Sequence, residues 1–369
     1  MIRDLLEQKP YLKKIILISL LVIVLIIIII ILVSVFKKTI LTYSELEDKM
    51  QSAAIDYYES NKDKLPNDGS TITISYDTLE EDERLKSIDS YLEKGNTCSG
   101  RVVIRNTNDN YSYTPFLDCG DDYKTIELYN KILNDNELVT EGNGLYQQGD
   151  SKIFRGENLD NFVSIGDNLW RIVKIDSDNS VKLILYSKGA RSTWDDRYNS
   201  EKGASYGKNT YSISRLKEQL DELYDSETFI SSEIKSKLVD KPLCIGKRSI
   251  DSTTNDGSLE CSEIIEDQYL GSLTLSEYIT ASLDPKCQSV NNRECQNYNY
   301  LIEYDARNPW WLITAVSENT YQAYYVSNYG SIEDVNCSVT AHIRPTLYLS
   351  METIYSSGEG TEEDPYIIK

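Results

Sequence analysis

"NPWWLITAV", residues 308–316, is the stretch on which the fold turns. Side chains of a strand alternate between faces. Trp310, Leu312, Thr314 and Val316 therefore share one face, and Trp311, Ile313 and Ala315 the other. Both sets are largely apolar, which predicts a central strand covered on both sides. The two tryptophans then point apart and cannot form one flat platform. Core packing is the expectation for at least one, and a place in a ligand cleft stays open for the other.

Working outward, "DNLWRIVKI" and "SVKLILYSK" read as strands around "DSDN", and "YQAYYVSN" follows "WWLITAV" through the turn "SENT". "CSVTAHIRP" reads as one strand, and the chain closes with "VTAHIRPTLYLS" and the tail "GEGTEEDPYIIK". "ISRLKEQLDELY" and "SSEIKSKLV" read as amphipathic helices. Residues 244–300 are rich in Cys, Asn and Ser and read as long pinned loops around a short helix at "LTLSEYITAS".

Upstream, Ile15–Phe36 reads "IILISLLVIVLIIIIIILVSVF". At 1.5 Å rise per residue it is about 33 Å long, enough to span a bilayer. It ends "SVFKK", without the small residues of a cleavage site. The expectation is a cytoplasmic tail over 1–14, a membrane span over 15–36 and an exterior remainder. After it, "TYSELEDKMQSAAIDYYESNKDKLP" places Leu46, Met50, Ala53, Ala54, Tyr57 and Tyr58 at helical spacing. "TITISY" reads as a strand and "EDERLKSIDSYLEK" as a short helix. "SGRVVIRN" and "YSYTPFL" read as a hairpin. Residues 132–143 read as a linker between a domain at 37–131 and another at 144–369.

A chain of 369 residues fits two or three domains. Its formal charge of −21 excludes the basic footprint of a nucleic-acid binder. There are 28 tyrosines against 5 phenylalanines, which suits half-exposed sheets and contact surfaces. A single histidine, His342, rules out a multi-histidine metal site. The cysteines all follow the apolar run and none forms C-x-x-C. Their spacing suggests Cys98–Cys119, Cys244–Cys261 and Cys287–Cys295, with Cys337 left over, although reduced thiols remain an alternative. Disulfides require an oxidising compartment.

The first unit resembles the extracytoplasmic part of type IV pilin-like proteins: an apolar helix, an amphipathic helix, then a small sheet with a Cys pair. It lacks the Gly-Phe processing site of that family, so a stalk is implied rather than a pilus subunit. The motifs "LWRIVKI", "NPWWLITAV", "HIRPTLYL" and "GEGTEEDPYII" resemble a bacterial extracytoplasmic domain family of unknown function. That family looks related to the C-type-lectin-like fold of formylglycine-generating enzymes. The resemblances imply an α+β chain: a transmembrane helix, a small pilin-like domain, and a lectin-like domain with antiparallel sheets.

Candidate chemistry is sparse. Cys337, His342 and Arg344 are the residue types of a thiol transpeptidase. Strand parity puts Cys337 opposite the other two, whereas a nucleophile must reach its base. One cysteine here does not make the metal-binding pair that formylglycine generation requires. "DSDNS" at 176–180 begins like a calcium loop but lacks the downstream Gly and Glu, so no cofactor is expected and calcium remains a minor option. Trp194, Asp195, Asp196 and Arg197 crowd a loop, where binding residues concentrate; with the polar side of His342 and Arg344 they form the candidate ligand surface. Anchoring of the loop is the competing reading. The expected role is non-enzymatic recognition of cell-wall glycan or an extracellular protein. A structural pilin-like subunit and an enzyme of the two types above are the rivals.

Overall fold

The computed structural model describes residues 18–19, 21–23, 40–92, 98–107, 109–186, 189–203, 205–287, 290, 295, 299–302 and 308–369. The chain divides into two compact units. One comprises Met1–Lys64, Thr73–Val102 and Pro115–Lys124; the other comprises Leu65–Ile72, Val103–Thr114 and Thr125–Lys369.

Helix α1 (Tyr43–Ser60), strand β1 (Thr71–Ser75), helix α2 (Tyr76–Glu81) and strands β2 (Ser99–Thr107) and β3 (Asn110–Asp118) come first. A capping box starts α1: the Thr42 hydroxyl accepts from the Glu45 N–H, and the Glu45 carboxylate accepts from the Thr42 N–H. Its buried side carries Leu46, Met50, Ala53, Ala54 and Tyr58, the predicted stripe apart from a half-buried Tyr57. The helix expected within "EDERLKSIDSYLEK" is only a 3-10 turn at Ile88–Ser90, and the α-helical turn lies upstream as α2. There the Ser75 hydroxyl caps the Thr78 N–H, and a left-handed Glu83 (φ 59°) follows its end. Strands β1, β2 and β3 form a sheet in that order.

The second unit continues with helix α3 (Leu128–Asp135) and strands β4 (Gly144–Gln148), β5 (Ser151–Arg155), β6 (Phe162–Ile165), β7 (Asn168–Ile175), β8 (Val181–Leu185) and β9 (Arg191–Thr193). Next are α4 (Arg215–Asp225), α5 (Ser232–Lys235), β10 (Lys241–Cys244), β11 (Ile264–Gln268), β12 (Leu270–Gly271) and α6 (Leu275–Thr280). The closing strands are β13 (Trp310–Ala315), β14 (Gln322–Val326), β15 (Ile332–Asn336), β16 (Thr340–His342), β17 (Thr346–Leu349), β18 (Tyr355–Ser357) and β19 (Tyr366–Ile368). Helix α3 runs into the stretch read as linker, and its Leu128 and Ile132 are fully buried in the core.

One sheet runs β12-β17-β8-β7-β6-β19-β18, with β5 also paired to β7 and β4 to β5. A second runs β15-β14-β13-β16-β9. Every residue of β13 is buried. Trp310 meets Tyr278 edge-on at 5.6 Å, with the Arg344 guanidinium 4.9 Å from its ring. Trp311 tilts against Tyr325 and donates its indole N–H to the Ser192 carbonyl at 3.0 Å. Both tryptophans are core.

The expected fold class needs correction in three places. The proposed span at 15–36 falls outside the described residues except for 18–19 and 21–23. Among the described residues no helix is long and apolar enough to cross a membrane. The architecture is a sheet-dominated α/β mixture, and its sheets are not purely antiparallel: β13 pairs with β16, and β19 with β6, in parallel. In both cases a late strand returns beside an earlier one, which local hairpin patterning does not foresee. Finally, the strand read at "CSVTAHIRP" is confined to β16 (Thr340–His342), which includes neither Cys337 nor Arg344. Pro345 has no N–H to donate, and the chain passes there from β16 in one sheet to β17 in the other.

The three expected disulfides are formed, and Cys337 is free and buried. Trp310→Ala and Trp311→Ala should each lower stability by about 3–5 kcal/mol, because each removes a buried indole. Thermal melts of the two variants check this; a wild-type melt for either would show that its side of β13 is not core.

Candidate functional site

In the sequence-chosen loop each of the four side chains has a partner within the fold. Trp194 is fully buried and donates its indole N–H to the Leu312 carbonyl at 3.1 Å. Asp195, also fully buried, accepts from the Arg197 backbone N–H at 2.8 Å and pairs with its guanidinium at 3.2 Å. Arg197 reaches on to Glu218, Glu218 pairs with Arg215 at 2.7 Å, and Arg215 pairs with Asp196 at 2.9 Å. The series of pairs ties the loop to α4.

His342 and Arg344 are likewise engaged. The His342 Nδ1 lies 2.9 Å from the Gly189 carbonyl oxygen, so this nitrogen carries the proton that it donates. Arg344 is buried and donates to the carbonyls of Leu185 (2.9 Å) and Leu301 (2.6 Å). Burial, reinforced by Asp195, pushes the Cys337 thiol far above its ordinary range despite Lys247, opposing the thiolate a nucleophile needs. The turn at 176–180 is built on a left-handed Asn179 (φ 62°). Asp178 meets Lys241 at 2.6 Å and Asp176 meets Lys174 at 3.5 Å. The metal-ligand type cluster found among the described residues is Asp284, Cys287 and Cys295, and its two sulfurs are joined to each other.

A different place gathers charged and aromatic groups around a cavity. In the second unit a cavity of about 400 Å³ lies over the face of the larger sheet, below α6. Register creates its floor. Lys174 of β7 stands opposite Lys182 of β8, which stands opposite Tyr348 of β17. Lys241, at the start of β10, joins them, and the three ammonium groups lie 5.4–5.6 Å from the centre of the Tyr348 ring. Like charges directly opposite on a sheet repel. Here Glu277 of α6 offsets the repulsion, its carboxylate 2.5 Å from the Lys182 ammonium. The Cys244–Cys261 disulfide forms part of the wall, and Tyr300 another. Neither Trp310 nor Trp311 lines this space.

Electrostatics keep Glu277 and Lys174 charged. Burial alone would lift the Glu277 carboxyl; Lys182 and Lys174 outweigh it and hold it below the ordinary range. Burial alone would depress Lys174; Tyr348, Glu277 and Asp176 outweigh it and hold it above. The cavity therefore presents ammonium donors, carboxylate acceptors and an aromatic ring together. Nothing in the sequence distinguishes Lys174 and Lys182 from ordinary strand lysines. The only signal is an inward parity shared with Tyr348, and it is legible once the register of β7, β8 and β17 is known.

Residues 179–351, from the β7–β8 turn to just beyond β17, match a family model described as a domain of unknown function (DUF6273). No curated protein and no solved structure matches the chain. The lectin-like and pilin-like resemblances thus find no match of their own.

A carboxyl with a depressed folded pKa stabilises the fold above its unfolded value of about 4.3, and that stabilisation is lost as pH falls through the folded value. Glu277→Gln should cost about 3 kcal/mol at neutral pH by leaving Lys182 buried and unpaired. It should also flatten the acid limb of the stability curve below pH about 4.3, and Lys182→Met in that background should recover part of the loss. Urea denaturation between neutral and acidic pH reads all three effects; an unchanged acid limb would mean that the pair is not the titrating element.

Proposed function

We propose that the second unit is a non-enzymatic recognition module that takes a segment of cell-wall glycan into the cavity above Tyr348. The observation that carries this reading is the ring of three lysines and Glu277 about one aromatic side chain, held by sheet register and a capped helix. A sugar offers many hydroxyls that both donate and accept, and apolar C–H faces that pack on a ring. Ammonium groups, carboxylates and a tyrosine in one concave site complement that chemistry. The disulfides support an oxidising extracytoplasmic location. The thiol-enzyme alternative draws no support from a buried Cys337 and a His342 bound to a backbone carbonyl.

A glycan array probed with the full chain tests the reading. Binding should appear and should weaken about tenfold in Lys241→Ala, the loss of one charged hydrogen bond, with little change in melting temperature. An array without hits, or an unaffected Lys241→Ala, would defeat it. Capture of peptides instead would move the function to protein recognition.

A further inference from the structure

Lys247 follows β10 and does not line the cavity. It is half-buried. Its Nζ donates to the Asn209 Oδ1 at 2.6 Å, and it forms no ion pair among the described residues. Lys174, Lys182 and Lys241 differ, since each has a carboxylate within 4 Å.

The Asn209 amide is fixed. Its Nδ2 donates to the carbonyls of Val316 (2.9 Å), Asn319 (2.8 Å) and Gln322 (2.9 Å), around the turn between β13 and β14. Its backbone N–H donates to the Thr320 carbonyl at 2.9 Å. Three carbonyl partners identify that side-chain atom as the nitrogen, which leaves the oxygen for Lys247. An amide oxygen is a neutral acceptor. It accepts from an amine as well as from an ammonium, so it orients Nζ without the charge that would hold the proton there.

The surrounding charges point the same way. Burial pushes Lys247 below the ordinary lysine range; Cys337, Glu263 and Glu201 oppose the shift without cancelling it. Cys337 supplies no anion at neutral pH, because burial keeps its thiol protonated. Arg248, next in the chain, turns its guanidinium to Glu260, Ser276 and Asn255. A lysine desolvated beside a neutral partner keeps a larger share of free amine, which is what a nucleophilic lysine needs.

We propose that Lys247 is a nucleophilic lysine that takes an aldehyde as an imine, a modification site separate from the cavity. The Nζ lone pair forms the bond to the carbonyl carbon, and the C=O electron pair moves to oxygen, which takes up a proton. Loss of that oxygen as water, with both hydrogens of the amine given up, leaves C=N in place of C=O. No oxidant or reductant is needed. The proposal does not depend on the glycan reading.

The test treats the full chain with acetaldehyde and cyanoborohydride at neutral pH, so that each imine is trapped as an ethylamine and located by peptide mapping. Lys247 should be ethylated at least about fivefold faster than the mean of the other lysines. Trace acetylation across a pH series reads the titration of every lysine in the wild type, and the Lys247 curve should lie below the others. Asn209→Asp sets a carboxylate against the ammonium and should slow ethylation of Lys247 at least about fivefold. Ethylation of Lys247 no faster than the mean, or a folded Asn209→Asp that reacts as the wild type does, would overturn the proposal. So would a Lys247 that titrates low yet takes no aldehyde, since its amine would then be closed to electrophiles. Should Asn209→Asp fail to fold, the wild-type ethylation rates and titration still decide the matter.

Discussion

Helix α6 is the piece on which the second unit depends. At 6 residues it is too short to be stable alone. It exists because its first turn is held from several sides. Thr274 and Glu277 cap it reciprocally. The Leu275 N–H donates to the Thr314 hydroxyl of β13, and Glu277 meets Lys182 of β8. One turn of helix is therefore attached to both large sheets at once. This also explains Thr314, a polar residue in an otherwise apolar strand: its hydroxyl receives a helix N–H that would otherwise lie buried and unsatisfied. The same turn covers the lysine row, so stability and the cavity rest on one contact.

How much of this was legible depends on the range over which the signal acts. The β7–β8 and β13–β14 hairpins follow from local alternation and a turn, and sequence alone suffices for them. Each disulfide joins cysteines close in sequence, so spacing pointed to the right partners. The parallel returns of β16 and β19 are set by pairing with strands laid down much earlier, and neither has a local signature. Pro345 did carry a signal. An interior proline argues against a continuous strand, and the break there sends β17 into the other sheet, bringing Tyr348 beside Lys182.

The loop at 194–197 shows how mixed chemistry in a sequence can be engaged within the fold. Trp, Asp and Arg side by side serve equally well to anchor a loop, and here Asp195, Arg197, Glu218, Arg215 and Asp196 form a series of pairs. Sequence shows which groups are present. Only the fold shows which have found partners. The exposed pairs of the series contribute little stability individually.

The converse case is Arg171, and composition sharpens it. The chain carries 59 acidic residues against 38 lysines and arginines. In such a chain carboxylates are abundant, and a cation without one reflects where the fold has put it, not a shortage. The fold has surrounded Arg171 with rings on its faces and left its in-plane Nε–H without an acceptor among the described residues. Aromatic walls exclude water and lower the local dielectric, which raises both the cost of the unpaired charge and the strength of any pairing that relieves it. Burying this guanidinium among rings is therefore a cost that the packing around it has to outweigh.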